Sequence, residues 1–245
     1  MSLLFVNATK VDADGVVERF WMRADGGRIT ATGSGDAPLT AGAEAIDVRG
    51  RTLTPGFIDL HGHGGGGASV DDGSEAIATA LATHRAHGTT RSVLSLVAAP
   101  LAEVRSSLAI IADLAETDPL VLGSHAEGPF LAPTRRGAHA PEFLREPDGA
   151  TIDELLVAAR GTLRQVTIAP ELPGALDAIR RLVRAGVRVA VGHTEADAEL
   201  TRAAFDAGAS ILTHAFNAMP GIHHREPGPV VAALGDERVT LELVL

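Results

Sequence analysis

The sequence predicts an α/β fold in which a small N-terminal β-subdomain precedes a (β/α)8-type barrel that runs as far as its seventh strand. Three observations predict it. Up to residue 53, short apolar runs alternate with turn signals. Beyond it the rhythm becomes apolar run, loop and Ala/Leu-rich helical segment, the signature of βα units and a parallel sheet. Histidines recur where the apolar runs end, at His61, His193 and His214.

In the first part (residues 1–53), Leu3–Thr9, Val16–Arg23, Arg28–Thr32 and Ala45–Val48 read as strands. Asp12-Ala13-Asp14-Gly15, Asp25-Gly26-Gly27 and Gly33-Ser34-Gly35 separate them. Turn signals at roughly ten-residue intervals predict a small antiparallel sheet or β-sandwich. In the second part (54–245, with its first strand opening at the junction), strands are expected at Leu53–Leu60, Ser92–Val97, Leu120–His125, Gln165–Ala169, Val187–Val191, Ser210–Thr213 and Val239–Val244. Helices are expected at Ser74–His87, Leu101–Glu116, Thr151–Arg160, Ala175–Ala185, Glu195–Ala207 and Gly228–Leu234. Gly88, Gly186 and Gly208 stand where helices should end in a left-handed residue. So many βα units in series favour a TIM-type barrel. Its eighth strand is not in the sequence, so the barrel reads as truncated after strand seven.

Composition narrows the function. With no Cys, a metal site must use His and carboxylate, and thiol catalysis and disulfides are excluded. The net charge of −10 argues against nucleic-acid binding, which needs a basic face. No run approaches the roughly 20 apolar residues of a membrane span, and the N-terminus lacks the charged and apolar regions of a secretory signal. A cytoplasmic enzyme is the expectation. At 3% aromatic, the core must be built from Ala, Val, Leu and Ile.

In barrels of this kind chemistry sits at the C-terminal strand ends. His61 and His63 are two apart at one such end, so both side chains point to the same face. They are either metal ligands or histidines satisfied at a turn. Gly64 to Gly67 follow, a loop able to pass close to a ligand. Glu127 ends the apolar run Leu120–Gly123 with Ser124-His125-Ala126, and a carboxylate there is costly to bury without a cation. His193 and His214 occupy equivalent exits on consecutive units. Together with Glu127 they make a metal site the leading reading. On the long loop after His214, Arg225 suits bidentate recognition of phosphate or carboxylate, or a solvated pair with Glu226. Arg135 and Arg136 read as a solvated face, Asp71-Asp72 as a helix start or cap, and His84 and His87 as structural.

Pro55-Gly56-Phe57-Ile58-Asp59-Leu60-His61-Gly62-His63-Gly64, His125-Ala126-Glu127-Gly128-Pro129-Phe130, Gly192-His193-Thr194 and the loop from Phe216-Asn217-Ala218-Met219 to Arg225-Glu226-Pro227-Gly228 resemble the N-acetylglucosamine-6-phosphate deacetylase family of the amidohydrolase superfamily, end to end. The resemblance implies that Glu127, His193 and His214 hold a principal divalent ion, Zn2+ before others, and that His61 and His63 share Glu127 with a second. It implies that His139 contacts the acetyl carbonyl, that Asn217 and Ala218 contact the sugar phosphate, and that Arg225 binds phosphate in the neighbouring site of a homodimer. The implied reaction, in amino-sugar catabolism, is hydrolysis of the acetamide of N-acetylglucosamine 6-phosphate to glucosamine 6-phosphate and acetate.

The resemblance also implies a proton-transferring Asp at the end of an eighth strand and a histidine after the seventh, neither of which the sequence contains. The 245-residue chain alone is therefore expected to lack ordinary activity. Two alternatives stay open: an N-acetylgalactosamine-6-phosphate deacetylase, since no residue plainly reads the C4 epimer, and an inactive metal-binding remnant. A dihydroorotase-like enzyme would want a lysine on strand four, where Gln165-Val166-Thr167-Ile168-Ala169 has none.

Overall fold

The structure, a computed structural model, describes residues 1–38 and 42–244. They form two compact units, Met1–Phe57 and Ile58–Leu245.

The first unit holds β1 (Ser2–Asp12), β2 (Gly15–Asp25), β3 (Arg28–Ser34), β4 (Glu44–Asp47) and β5 (Thr52–Leu53) in one sheet of order β3-β2-β1-β4, with β5 also on β1. The sequence led us to expect an antiparallel sheet or a sandwich. The described residues form a single mixed sheet instead. β1–β2 and β2–β3 are antiparallel, whereas β4 and β5 both run parallel to β1. The reason is length: at 11 residues β1 offers one edge to two short strands end to end, Leu3–Val6 to β4 and Thr9–Lys10 to β5.

The second unit begins in β6 (Phe57–Gly62) and continues through a tight hairpin, β7 (Gly64–Gly65) and β8 (Ala68–Ser69), into α1 (Ser74–Ala86). Then follow β9 (Thr89–Leu96), α2 (Leu101–Thr117), β10 (Val121–Glu127), α3 (Gly149–Ala159), β11 (Leu163–Ile168), α4 (Ala175–Arg184), β12 (Arg188–Val191), α5 (Ala198–Asp206), β13 (Ile211–Leu212), α6 (Gly228–Leu234) and β14 (Thr240–Leu241). The seven main strands lie in strict chain order, from β6 to β14. An order that never reverses is that of a barrel rather than a doubly wound sheet. Within the sheet β9 to β14 are parallel.

The helices form where expected, for visible reasons. In α4, Ala175, Ala178, Ile179 and Leu182 are buried, the one-sided stripe of an amphipathic helix. Asp148 and Asp197 cap α3 and α5, each side chain accepting a backbone N–H of the first turn, at 2.9 and 2.8 Å. Gly88, Gly186 and Gly208 follow their helices with φ of 99°, 82° and 113°. The first barrel strand starts later than the expected Leu53 because Leu53 pairs with Lys10 of β1 and Pro55 has no N–H to offer a ladder. Among the described residues no helix is long and apolar enough to cross a membrane.

In α3, Leu155 is fully buried while Val157 is 76% exposed. Leu155→Ala should cost about 2–5 kcal/mol and Val157→Ala no more than about 0.5 kcal/mol, measured by urea unfolding. Equal costs would contradict this helix orientation.

Candidate metal centre

Glu127 is the last residue of β10, a strand paired on both sides, and its side chain is almost entirely buried. An ionised carboxylate there is costly to desolvate unless opposite charge meets it. Five imidazoles do. The Nε2 atoms of His61, His193 and His214 lie 3.3, 3.2 and 3.2 Å from its Oε1, and those of His63 and His139 lie 2.9 and 3.3 Å from its Oε2. The ring nitrogens also crowd one another: Nε2 atoms are 3.1 Å apart for His61 and His63 and 3.0 Å apart for His193 and His214. Burial pushes the Glu127 carboxyl up, but hydrogen bonds from His139, His193, His214 and His61 outweigh it and hold the group well below the usual range.

Several histidines are fixed from behind. His193 Nδ1 faces the Arg135 carbonyl at 2.8 Å, and His61 Nδ1 faces Glu242 Oε2 at 3.1 Å. Both partners only accept, so each Nδ1 carries a proton and, in the neutral ring, each Nε2 turns a lone pair toward Glu127. Lone pairs facing a carboxylate repel unless a cation lies between them. The ring of His61 shows the same demand: burial lowers its pKa, but its bonds to Glu127 and Glu242 prevail and push it up to about 9. Imidazole nitrogen around a shared carboxylate is a donor set for zinc and related divalent ions. The residues fit a metal on these grounds: His61, His63 and Glu127, and likewise Glu127, His139 and His193, bring three possible ligand atoms within 4.8 Å of one another, with His214 Nε2 3.0 Å from that of His193. His139 is different. Its Nδ1 accepts the Ala98 N–H at 3.1 Å, so its Nε2 bears hydrogen and donates.

The backbone is bent to deliver these groups. His61 and Glu127 lie on their strands, but His193 and His214 come two residues after β12 and β13 end. Their φ values are +48° and +30°, and Phe216 and Ala218 follow at +76° and +51°. Non-glycine residues in this region are strained and concentrate at functional sites. The loop after β10 closes on the same place: Ala132 N–H bonds the His193 carbonyl at 3.0 Å, and the Arg135 guanidinium forks onto Glu195 at 2.8 and 3.0 Å. Arg135 is thus half-buried and paired, not the solvated residue expected. Arg136 donates to the carbonyl of His139 at 2.9 Å.

Other expectations change as well. Gly64–Gly67 belong to a tight hairpin packed on α1: a Cβ on Gly64 would meet the Ala68 carbonyl of the facing strand at 2.1 Å, and ones on Gly65 and Gly66 would meet His84 Nε2 at 2.8 Å and the Thr83 hydroxyl at 2.4 Å on α1. These glycines serve that packing. Asp71 and Asp72 lie in a short 3-10 turn (Val70–Asp72) that Ser69 caps, while α1 starts after Gly73; Asp71 also accepts the Val97 N–H at 3.3 Å, steadying the turn that presents Ala98 to His139. His84 is structural, its Nε2 donating to the Gly64 carbonyl at 2.8 Å. One layer below the site, on the same face of β10 as Glu127, His125 is fully buried between the Ser95 hydroxyl at 2.9 Å and the Thr167 hydroxyl at 2.8 Å.

The site opens into a cleft of about 650 Å³ lined by the five histidines, Glu127, Val97, Ala138 and Glu242. Glu242, whose Oε1 accepts from Gln165 Nε2 at 2.9 Å, was not singled out from the sequence. Its place just after β14 matches that of His193 and His214 after their strands. Asn217, Ala218 and Arg225 do not line this cleft. Asn217 folds its amide back onto the carbonyls of His214 and Ala215 at 3.2 and 3.3 Å, Ala218 gives its carbonyl to the Thr194 N–H at 3.1 Å, and Arg225 is exposed.

Thr167→Val should strand His125 Nε2 without its partner and cost about 1–3 kcal/mol in urea unfolding, while Thr167→Ser should recover most of it. Equal stability of both variants would show that the hydroxyl is dispensable.

Residues 52–240 match the model of the Amidohydrolase family. An N-acetylgalactosamine-6-phosphate deacetylase of Escherichia coli O157:H7 is 46% identical over 78% of this chain and 52% of its own length. An N-acetylglucosamine-6-phosphate deacetylase of Vibrio furnissii is 37% identical over 82% of this chain and 52% of its own. The chain thus spans about half the length of these curated relatives. Among solved structures, N-acetyl-D-glucosamine-6-phosphate deacetylase of Mycobacterium smegmatis superposes with a TM-score of 0.92 at 44% identity, over 98% of this chain and 63% of that one. A mutant of the Mycobacterium smegmatis deacetylase in complex with N-acetyl-D-glucosamine-6-phosphate gives 0.91 at 43% identity, over 99% and 63%.

Proposed function

The chain belongs to the amidohydrolase family, and from that premise we propose that it carries the metal centre of a deacetylase hydrolysing the acetamide of N-acetylglucosamine 6-phosphate to glucosamine 6-phosphate and acetate. The observation that carries the reading is the convergence of five imidazoles on buried Glu127, one of them locked as a donor beside four that can ligate. Glu127, His193 and His214 are assigned to the principal ion, with His61 and His63 sharing Glu127 toward a second. Zinc is the proposed metal, from the imidazole and carboxylate donors.

When bound, a divalent ion supplies Lewis acidity to the amide carbonyl and to the attacking water. The chain's own residues do the rest of what is assigned here. His139, with Nδ1 occupied by Ala98, offers Nε2–H to the carbonyl oxygen as negative charge develops on it. The Arg135 carbonyl and the Glu242 carboxylate each accept Nδ1–H, from His193 and His61 respectively, so that with an ion bound each ring would turn the lone pair of its Nε2 inward. No general base is assigned among the described residues, because Glu242, the other carboxylate in the cleft, is held by His61 and Gln165. Asn217 and Ala218, on the loop leading from His214, are proposed to contact the sugar phosphate. Exposed Arg225 is proposed to bind phosphate in the neighbouring site of a homodimer. The relative that is 46% identical favours a second reading, the galactosamine epimer as substrate.

Acetate release by the full-length, zinc-loaded protein from the two N-acetylhexosamine 6-phosphates tests the choice; preference for the galactosamine epimer would overturn the first reading, and release from neither would overturn both. Glu127→Ala should abolish metal uptake with the fold retained, and unchanged metal stoichiometry would sink the ligand assignment. Arg225→Ala should raise KM for the phosphorylated sugar about ten- to a hundredfold, the worth of a charge-assisted hydrogen bond of roughly 1.5–3 kcal/mol. An equal loss on unphosphorylated N-acetylglucosamine would rule the phosphate role out.

A further inference from the structure

We propose that Glu242 is a positioning residue that presets His61 as a metal ligand and so governs occupancy of the His61–His63–Glu127 side of the centre without touching the ion itself. The inference rests on the metal-centre reading above.

Glu242 is held at every point. Its backbone N–H bonds the Leu212 carbonyl at 2.9 Å, and its carbonyl accepts the Ala215 N–H at 2.8 Å. Its Oε1 is taken by Gln165, a buried amide on β11, and its Oε2 by His61. β6 and β14 are the opposite edges of the seven-stranded sheet, yet His61 and Glu242 meet at 3.1 Å. The sheet is therefore curled far enough to bring its first and last strands to one site, and Glu242 spans the gap.

The two sides of the centre are then alike in one respect and different in another. Each has one tethered histidine: His61 by the Glu242 carboxylate, His193 by the Arg135 carbonyl. Each has one untethered histidine, since the buried Nδ1 atoms of His63 and His214 have no hydrogen-bond partner among the described residues. The tethers differ in charge. A carboxylate behind an imidazole fixes its tautomer, orients the ring and strengthens its donor nitrogen, and removing such a partner typically costs about 10–100-fold in metal affinity. Among the described residues the candidate ligand that Glu242 bonds is His61, its other oxygen being held by Gln165, so that loss should fall on one side alone.

The test is competition between zinc and a chelator in the full chain, comparing wild type with Glu242→Ala and Glu242→Gln. The wild type should show two dissociation constants. Glu242→Ala should raise one of them about 10–100-fold and leave the other within about twofold, the unchanged site reporting that the fold is intact. Glu242→Gln keeps an acceptor for Nδ1–H and should raise the same constant by less. Two unchanged constants, or two that rise together, would overturn the proposal. So would a wild type with a single zinc site indifferent to Glu242, a result that leaves a one-metal deacetylase standing. Because the readout is zinc affinity, absent acetate release would remove the functional reading and leave the role of Glu242 intact.

Discussion

Buried Glu127 is the constraint around which the second unit is arranged. An isolated carboxylate at that depth would neutralise itself. Here five ring nitrogens keep it ionised, and the strand ends and loops that carry them must converge to within hydrogen-bond distance of two oxygen atoms. The strain at His193 and His214 belongs to the same account. Left-handed non-glycine residues cost on the order of 1–3 kcal/mol each and persist where the surroundings over-determine them. Both rings meet Glu127 in front, and that of His193 is also held by the Arg135 carbonyl behind.

The parallel sheet makes this convergence possible. Strands in chain order present all their C-terminal ends on one rim, so side chains from several βα units meet at a common place. Period-two alternation sorts those side chains into layers: Glu127 at the rim and His125 beneath it on the same face. The lower layer is a chain of hydroxyls and one neutral imidazole, Ser95, His125, Thr167 and Thr213, with Thr167 and Thr213 3.2 Å apart. It satisfies polar groups in the interior without adding charge below an already crowded site.

The architecture was legible in the sequence because hydrophobic periodicity and glycine stops report local geometry. α6 falls at Gly228–Leu234, as read from the sequence, and α1 and α2 differ only by a residue at one end. Strand ends were less legible, since a ladder depends on partners far away in sequence: Leu53 was claimed by β1 rather than by the barrel. In the site, the residues proposed as ligands, His61, His63, Glu127, His193 and His214, could be picked out by type and position, and the structure brings them together. The parts that hold them could not. A carbonyl at Arg135, an N–H at Ala98 and a carboxylate at Asp71 aimed at a distant turn carry no signal of their own in one sequence. Glu242 was hidden for another reason: it falls in the middle of the expected strand Val239–Val244, whereas the strand ends at Leu241 and Glu242 stands just past it.

The curl of the sheet and the integrity of the metal centre are therefore one property. His61 stands on the first edge strand and reaches Glu127 on the third strand of the sheet and Glu242 just past the last. Gln165, on the fourth, completes the span from inside. Flattening the sheet by even the length of a hydrogen bond would draw Nε2 of His61 away from Glu127 or break its tether to Glu242. Conversely, ions held by His61 and His63 on one side and by His193 and His214 on the other, with Glu127 common to both, would tie the strands bearing them together. A metal bound by the proposed ligands would be coupled to closure of the curled sheet by this geometry, and by linkage each would favour the other.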